Sequence, residues 1–193
     1  MVIEKRHTPI MDYDKMDYDK EVLADLNLHG AEHYPELVYH EVPSVITSML
    51  ENKYLRTLET PLGLVAVLGP KGRKLFDRDP AYVPEPDEAA ADVLTRRVRK
   101  KLESQGWRFT EYSKTRLHVL NMRNEVELLS VYVRWYDPKL NTVKNLLEDL
   151  RRLHGDRKVL VAARKLQPYD ALLKDYPQLN LLELQLVLPP EAE

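Results

Sequence analysis

The chain contains no cysteine among its 193 residues, so disulfides, thiolate metal sites and cysteine nucleophiles are excluded. Glycine is scarce, with six residues in all, and none of them forms the glycine-rich loop that cradles a phosphate group. No apolar run approaches the roughly 18 residues that a membrane span needs, and no apolar stretch follows the first charges as in a secretory signal. These absences predict a soluble cytoplasmic protein that does not associate with membranes.

The chain also lacks a strong net charge, because 29 basic residues stand against 31 acidic ones. The total charge therefore predicts no partner, whereas its distribution is more informative. Acidic residues prevail from Met1 to His40, and basic residues prevail from Lys71 to Arg116. Such asymmetry is typical of a nucleic-acid-binding face, and it is also compatible with an ordinary solvated face.

Residues 1–20 contain an exact tandem repeat, in which Met11–Lys15 is followed by the identical Met16–Lys20. Its alternating aspartates lack the glycine and the distal glutamate of a calcium-binding EF-hand loop, so no metal site is predicted there. We interpret residues 1–20 as a flexible acidic arm. The arm leads into a helix that ends at Gly30, with an apolar face made of Val22, Leu23, Leu26 and Leu28.

Residues 21–78 have the element order of a winged helix. Tyr34–His40 is predicted as the second helix, weakened by Pro35, and Pro43–Asn52 as the third. Tyr54–Leu58 and Leu64–Leu68 are predicted strands, and the Pro and Gly between them are typical of a tight turn. We interpret this hairpin as the wing.

The third helix is amphipathic, with apolar residues on one side and small hydrogen-bonding residues on the other. Gly69–Arg73 ends the second strand and brings cations toward the same region. The side chains predicted to meet base edges or phosphates are Ser44, Thr47, Ser48, Asn52, Lys53, Arg56, Lys71, Arg73 and Lys74. The alternative is a helix-hairpin unit that serves only the core or a protein partner.

A proline-rich linker over residues 79–87 separates this unit from a second predicted domain, residues 88–193. The second domain is predicted to be a mixed sheet flanked by helices, in the order helix-β-β-β-helix-β-helix-β, so the whole chain is α+β. Three basic side chains are predicted to project from its first helix, where they either contact phosphates or form the solvent-exposed side of that helix. These are Arg96, Arg97 and Lys100. The predicted elements are Glu88–Ser104, Trp107–Tyr112, Arg116–Met122, Glu125–Tyr136, Asn141–Leu153, Lys158–Ala163, Pro168–Asp175 and Leu181–Leu188.

The order of elements in residues 88–163 resembles the core of restriction-endonuclease-like, PD-(D/E)XK proteins. That resemblance implies metal-dependent phosphodiester cleavage, which needs carboxylates to hold Mg²⁺ and a lysine nearby. The sequence departs from the family pattern, because Arg116–Met122 contains no acid and Glu125 and Glu127 are followed by no lysine at the family's offset. We therefore expect a non-catalytic domain without a metal.

Residues 20–165 also resemble the replication-relaxation family of plasmid and mobile-element proteins. The likeness rests on a winged helix that ends in Gly69–Arg73, a proline-rich linker, and then a helix and a sheet. It implies a DNA-binding role in replication or its regulation.

The sequence therefore predicts a non-catalytic protein that binds double-stranded DNA and regulates transcription or replication. No cofactor and no small-molecule substrate are expected, and a homodimer would form through the last strand. The first alternative is a protein-interaction modulator that uses the winged helix as a docking surface. The second is a metal-dependent nuclease.

Overall fold

The computed structural model describes residues 13–113, 118–135, 158–163, 166–167, 169–170 and 179–183. Over these ranges the chain is a mixed α+β fold with two sheets, which confirms the predicted class. The helices are α1 (Tyr13–His29), α2 (Tyr34–His40), α3 (Pro43–Glu51), α4 (Pro70–Lys74) and α5 (Pro86–Ser104). The strands are β1 (Glu32–His33), β2 (Leu55–Thr60), β3 (Gly63–Leu68), β4 (Arg108–Ser113), β5 (His118–Arg123), β6 (Leu128–Arg134), β7 (Lys158–Ala163) and β8 (Leu179–Glu183).

The first two helices begin and end where local chemistry requires it. Gly30 follows α1 with φ of 76°, a left-handed conformation that terminates helices and that glycine adopts without strain. Pro35 lies in the first turn of α2, where a backbone N–H has no helical partner to lose. The expectation that Pro35 weakens this helix is therefore wrong.

Helix α3 and the β2–β3 hairpin form as the sequence predicts, with bounds shifted by one or two residues. Val45, Ile46 and Met49 are the buried face of α3. The register pairs Thr60 with Gly63, so Pro61 and Leu62 make a two-residue turn. The buried residues of α3 form one apolar cluster with Val22, Leu23 and Leu26 of α1. Leu28, predicted on the same face of α1, is instead 59% exposed.

Helix α5 is the element that both sheets share. Ala89 and Val93 pack against Val65 and Val67 of the first sheet. Residues on another side of the same helix pack against the second sheet, and these are Ala90, Ala91, Leu94, Val98 and Leu102. Because one helix contributes to both apolar cores, the two predicted domains are joined along its length.

The second sheet has the strand order β4-β5-β6-β7-β8. The first three strands are antiparallel, and β6, β7 and β8 are parallel to one another, so the predicted mixed sheet is confirmed. The predicted helix Asn141–Leu153 lies outside the described residues, as does most of Pro168–Asp175.

The predicted acidic arm overlaps α1, which already begins at Tyr13; residues 1–12 lie outside the described part of the chain. Among the helices that the structure describes, none combines the length and the apolar character needed to cross a membrane.

Candidate nucleic-acid interface

The polar face of α3 is open to solvent. Ser44, Thr47 and Asn52 are exposed, and Ser48 is half-buried. Thr47 Oγ1 donates to Pro43 O over 2.9 Å, and Asn52 Nδ2 donates to Ser48 O over 2.9 Å. Asn52 Nδ2 also donates to Ser48 Oγ over 3.4 Å. These bonds fix the side chains but leave the Thr47 lone pairs and the Asn52 Oδ1 acceptor available to a ligand.

Glu51 belongs to the same face, because residues 44, 47, 48 and 51 follow the i, i+3, i+4, i+7 spacing of one helix side. It is exposed at the end of α3. Glu51 was not among the side chains that the sequence predicted to contact DNA. Its helical spacing was the signal that places it on the same exposed face as Ser44 and Thr47.

Three exposed lysines, Lys53, Lys71 and Lys74, form what we call the lysine cluster. The backbone holds it together, since Lys71 N donates to Lys53 O over 3.1 Å. Gly72 permits this approach, because a Cβ there would overlap Tyr54 O. The Lys71 ammonium also lies 5.6 Å from the centre of the Tyr54 ring, within the range of a cation-π contact. The cluster therefore adjoins the C-terminal end of α3.

Arg56 and Arg73, predicted to contact DNA, both bind the proline-rich connection. Arg73 Nε donates to Asp79 O over 2.6 Å, and its guanidinium lies 4.5 Å from the centre of the Tyr82 ring. Arg56 Nη2 donates to Tyr82 O over 3.4 Å. Burial, and then the charge of Arg78, lower the pKa of Arg73. Asp79 and Tyr82 are thus bound to the first unit, and these two arginines are only partly accessible.

Arg96 and Arg97 were expected to project to solvent, and this expectation is wrong. Arg96 Nη1 lies 2.5 Å from Asp25 Oδ2, and Arg96 Nε donates to Ala31 O over 3.0 Å. Arg97 is 9% exposed and its Nη2 lies 2.8 Å from Glu36 Oε1. Both side chains therefore join α5 to the first unit, where a phosphate backbone does not reach them.

Lys100 is the exposed member of that predicted group, and its Nζ lies 3.7 Å from Glu36 Oε2. Burial raises the pKa of Glu36, but hydrogen bonds and charge from Arg97, together with Lys100, outweigh it and set the pKa below its ordinary value. Burial and the charge of Arg97 lower the pKa of His33 beside it. His33 Nδ1 lies 3.5 Å from Glu36 Oε1, so the two groups stand together where Arg97 of α5 reaches them.

The tip of the hairpin is not a free wing. Leu62 packs against the apolar cluster formed by α5 and the second sheet. Thr60 closes the turn, because its Oγ1 accepts from Leu62 N over 3.1 Å and donates to Gly63 O over 2.7 Å. The tip is therefore docked on α5, which leaves α3 and the lysine cluster as the exposed part of the predicted DNA-binding surface.

Glu127, one of the acids considered for nuclease chemistry, forms an ion pair. Its Oε1 lies 2.8 Å from Lys158 Nζ, where β6 and β7 begin. Within the described ranges no group of three or more histidine, aspartate or glutamate side chains is arranged to hold a metal ion.

Comparison with known proteins assigns no family to the chain. No family model matches it, and neither does any curated protein. A solved structure of an XisH family protein from Nostoc punctiforme is similar at 18% identity, covering 49% of this chain and 94% of that chain. Its TM-score of 0.31 makes the likeness a weak one.

Proposed function

We propose that residues 21–78 form a winged helix that binds double-stranded DNA through α3 and the lysine cluster. The element order α1-β1-α2-α3-β2-β3 and the antiparallel sheet order β1-β3-β2 support this proposal. In that arrangement α3 stands where a recognition helix stands in helix-turn-helix proteins, whose second helix enters the major groove.

The observation that carries the proposal is the continuity of the exposed surface. The polar face of α3 ends at Asn52, and the next residue, Lys53, is bonded through its carbonyl to Lys71 N of α4. Base-reading groups and phosphate-binding groups therefore lie side by side. Protein-DNA interfaces divide their contacts in this way, because phosphate contacts position the protein and base contacts supply specificity.

Each group has a separate role in this proposal. Lys53, Lys71 and Lys74 neutralise phosphates and release counterions. Asn52 is suited to adenine, Glu51 accepts from the exocyclic amine of cytosine, and Ser44 and Thr47 bond to either kind of base edge. The role is binding without turnover, as in a regulator of transcription or replication.

We also propose that two copies associate through β8, which ends the second sheet within the described ranges. An edge strand offers unpaired backbone groups to a second copy. A two-fold dimer would then fix the spacing of two half-sites on the duplex.

The test is fluorescence anisotropy of a labelled random duplex at a series of salt concentrations. Binding whose logarithmic affinity falls linearly with the logarithm of salt concentration supports the proposal. The absence of any duplex binding at low salt refutes it.

One observation favours the rival function, docking to a protein partner. Tyr39 is 85% exposed and Val42 is 50% exposed at the turn between α2 and α3. Exposed aromatic and aliphatic side chains of this kind are typical of protein interfaces. If docking is the function, Tyr39→Ser/Val42→Ser abolishes binding of the protein partner. The wild-type protein is then expected not to bind duplex DNA.

A further inference from the structure

Arg108 and Arg123 lie directly opposite each other on adjacent strands. The β4–β5 register pairs Arg108 with Arg123, and the next pair along is Phe109 with Met122. Phe109 and Met122 pack into the α5 cluster. Because side chains alternate along a strand, both arginines are on the sheet face away from α5. Directly opposed residues have Cβ atoms about 4.5–5.5 Å apart, and both arginines line one groove.

These two cations have no partner in the part of the chain that the structure describes. Every other arginine side chain described there donates at least one hydrogen bond to a protein oxygen. Arg108 and Arg123 are exposed and form neither a hydrogen bond nor an ion pair with any described residue. Like charges placed directly opposite each other on a sheet are destabilising, so this arrangement carries an unbalanced positive charge.

A groove of about 580 Å³ adjoins the pair, lined also by Gly106, Asn124, Glu125 and Val126. Asn124 Oδ1 accepts from Val126 N over 2.9 Å and from Glu127 N over 2.7 Å. These two donors fix the orientation of the amide, and its Nδ2 makes no hydrogen bond with the described residues. Gly106 has φ of 90° and open space where a Cβ would stand, so the backbone leaves this side of the groove unobstructed.

We propose that this groove binds a phosphate group. Two guanidinium forks and one amide N–H₂ form a set of donors without acceptors, which matches a tetrahedral oxyanion. Glu125 is exposed on the same groove and opposes this charge, so it sets the strength of binding. The site follows the C-terminal end of α5 and shares no residue with α3 or the lysine cluster. A test of this site therefore does not depend on whether α3 and the lysine cluster bind duplex DNA.

Isothermal titration calorimetry with pyrophosphate tests the site in the full chain. Arg108→Gln/Arg123→Gln is expected to weaken binding at least about tenfold, since hydrogen bonds to charged groups are the strong ones. Lys20→Gln/Lys100→Gln removes the same charge at exposed positions outside both proposed binding sites and is expected to leave this binding unchanged. Glu125→Gln is expected to tighten it. Equal losses in the two double variants, or no saturable binding by the wild-type protein, overturn the proposal.

A short single-stranded oligonucleotide, with or without a 5′-phosphate, distinguishes the two sources of a phosphate. Tighter binding of the phosphorylated form, abolished in Arg108→Gln/Arg123→Gln, identifies a terminal phosphate as ligand. Equal binding of both forms, weakened in the same variant, identifies the backbone diester. Binding of both forms that is unaffected by the variant contradicts the site.

Thermal unfolding shows whether the double variant loses phosphate binding only because it folds poorly. Both arginines are exposed, so the double variant is expected to be at least as stable as the wild-type protein in the absence of ligand. Pyrophosphate is expected to raise the melting temperature of the wild-type protein and not that of the double variant. An equal rise in both proteins overturns the proposal.

Discussion

Asp92 Oδ2 accepts a hydrogen bond from Ala31 N over 3.0 Å, although 61 positions separate the two residues. Asp92 is 1% exposed in the middle of α5, and Ala31 lies just after the left-handed Gly30. The bond satisfies a buried backbone donor at the end of α1 with a side chain from the helix that both sheets share. It therefore connects the end of α1 to the helix that packs against the second sheet.

Asp92→Ala is expected to lower the free energy of unfolding by about 2 kcal/mol, because it leaves the Ala31 N–H buried without an acceptor. Glu85→Ala is the matched control, since Glu85 is exposed and makes no capping hydrogen bond with its side chain. Urea denaturation measures both variants. An Asp92 variant as stable as the control would show that the hydrogen bond contributes nothing.

Gly30→Ala is expected to destabilise the protein for two reasons that can be separated. The left-handed conformation costs a residue with a Cβ about 1–2 kcal/mol. In addition, the new Cβ would overlap the Asp92 carboxylate. The cost of Gly30→Ala should therefore be smaller in an Asp92→Ala background, a coupling that a double-mutant cycle measures. Strict additivity of the two substitutions would contradict this contact.

Stability is expected to fall as the pH is lowered below about 6.5, the ordinary pKa of histidine. Burial lowers the pKa of His29 and of His33 in the folded protein, with Arg96 and Arg97 respectively adding to the effect. The unfolded chain therefore binds more protons than the folded one as the pH drops below 6.5, and protonation favours unfolding. Glu36 extends this loss of stability to lower pH. Its pKa is lowered in the folded protein, so the stability that it contributes is lost as the pH falls below 4.5.

Urea midpoints between pH 8 and pH 5 check this expectation. His29→Gln/His33→Gln should flatten the dependence over this range, and His40→Gln, at an exposed position, is the comparison. An unchanged slope in the double variant would assign the pH dependence to other groups.

Glu51→Gln is expected to separate specificity from affinity in duplex binding, and this expectation depends on the proposed function. Removing an acid from the exposed face of α3 reduces repulsion of phosphates, so binding to random duplex should tighten. The glutamine oxygen still accepts, but it is uncharged and the new N–H₂ group also donates, so the preference for cytosine at the contacted position should weaken. Selection from a randomised duplex pool measures both effects. A variant that loses affinity for all sequences would contradict the assignment of Glu51 to base reading.

Helix α3 and the β2–β3 hairpin could be predicted because their signals are local. The apolar spacing of Val45, Ile46 and Met49 defines α3, and the Pro61–Leu62 turn defines the hairpin. The local sequence also led to the wrong expectation that Pro35 weakens α2, because the effect of a proline depends on where the helix starts. It also placed Leu28 on a buried face that ends before that residue.

Features that depend on contacts distant in sequence could not be predicted. Arg96 and Arg97 have the pattern of a solvated helix face, and only the folded chain brings Asp25 and Glu36 beside them. The docking of Leu62 on α5 and the opposition of Arg108 and Arg123 likewise require the tertiary arrangement or the strand register. Asp92 does carry a local signal, because an acid within the apolar run from Ala89 to Leu94 indicates a buried hydrogen bond.

The most direct test of duplex binding by the lysine cluster is the salt dependence of affinity in Lys53→Gln/Lys71→Gln/Lys74→Gln. Each phosphate that is no longer neutralised by a lysine should reduce the slope of log affinity against log salt by about 0.9. Lys100→Gln, whose ammonium lies beside Glu32 and Glu36, is expected to keep the wild-type slope. A triple variant with the wild-type slope and affinity would contradict the account.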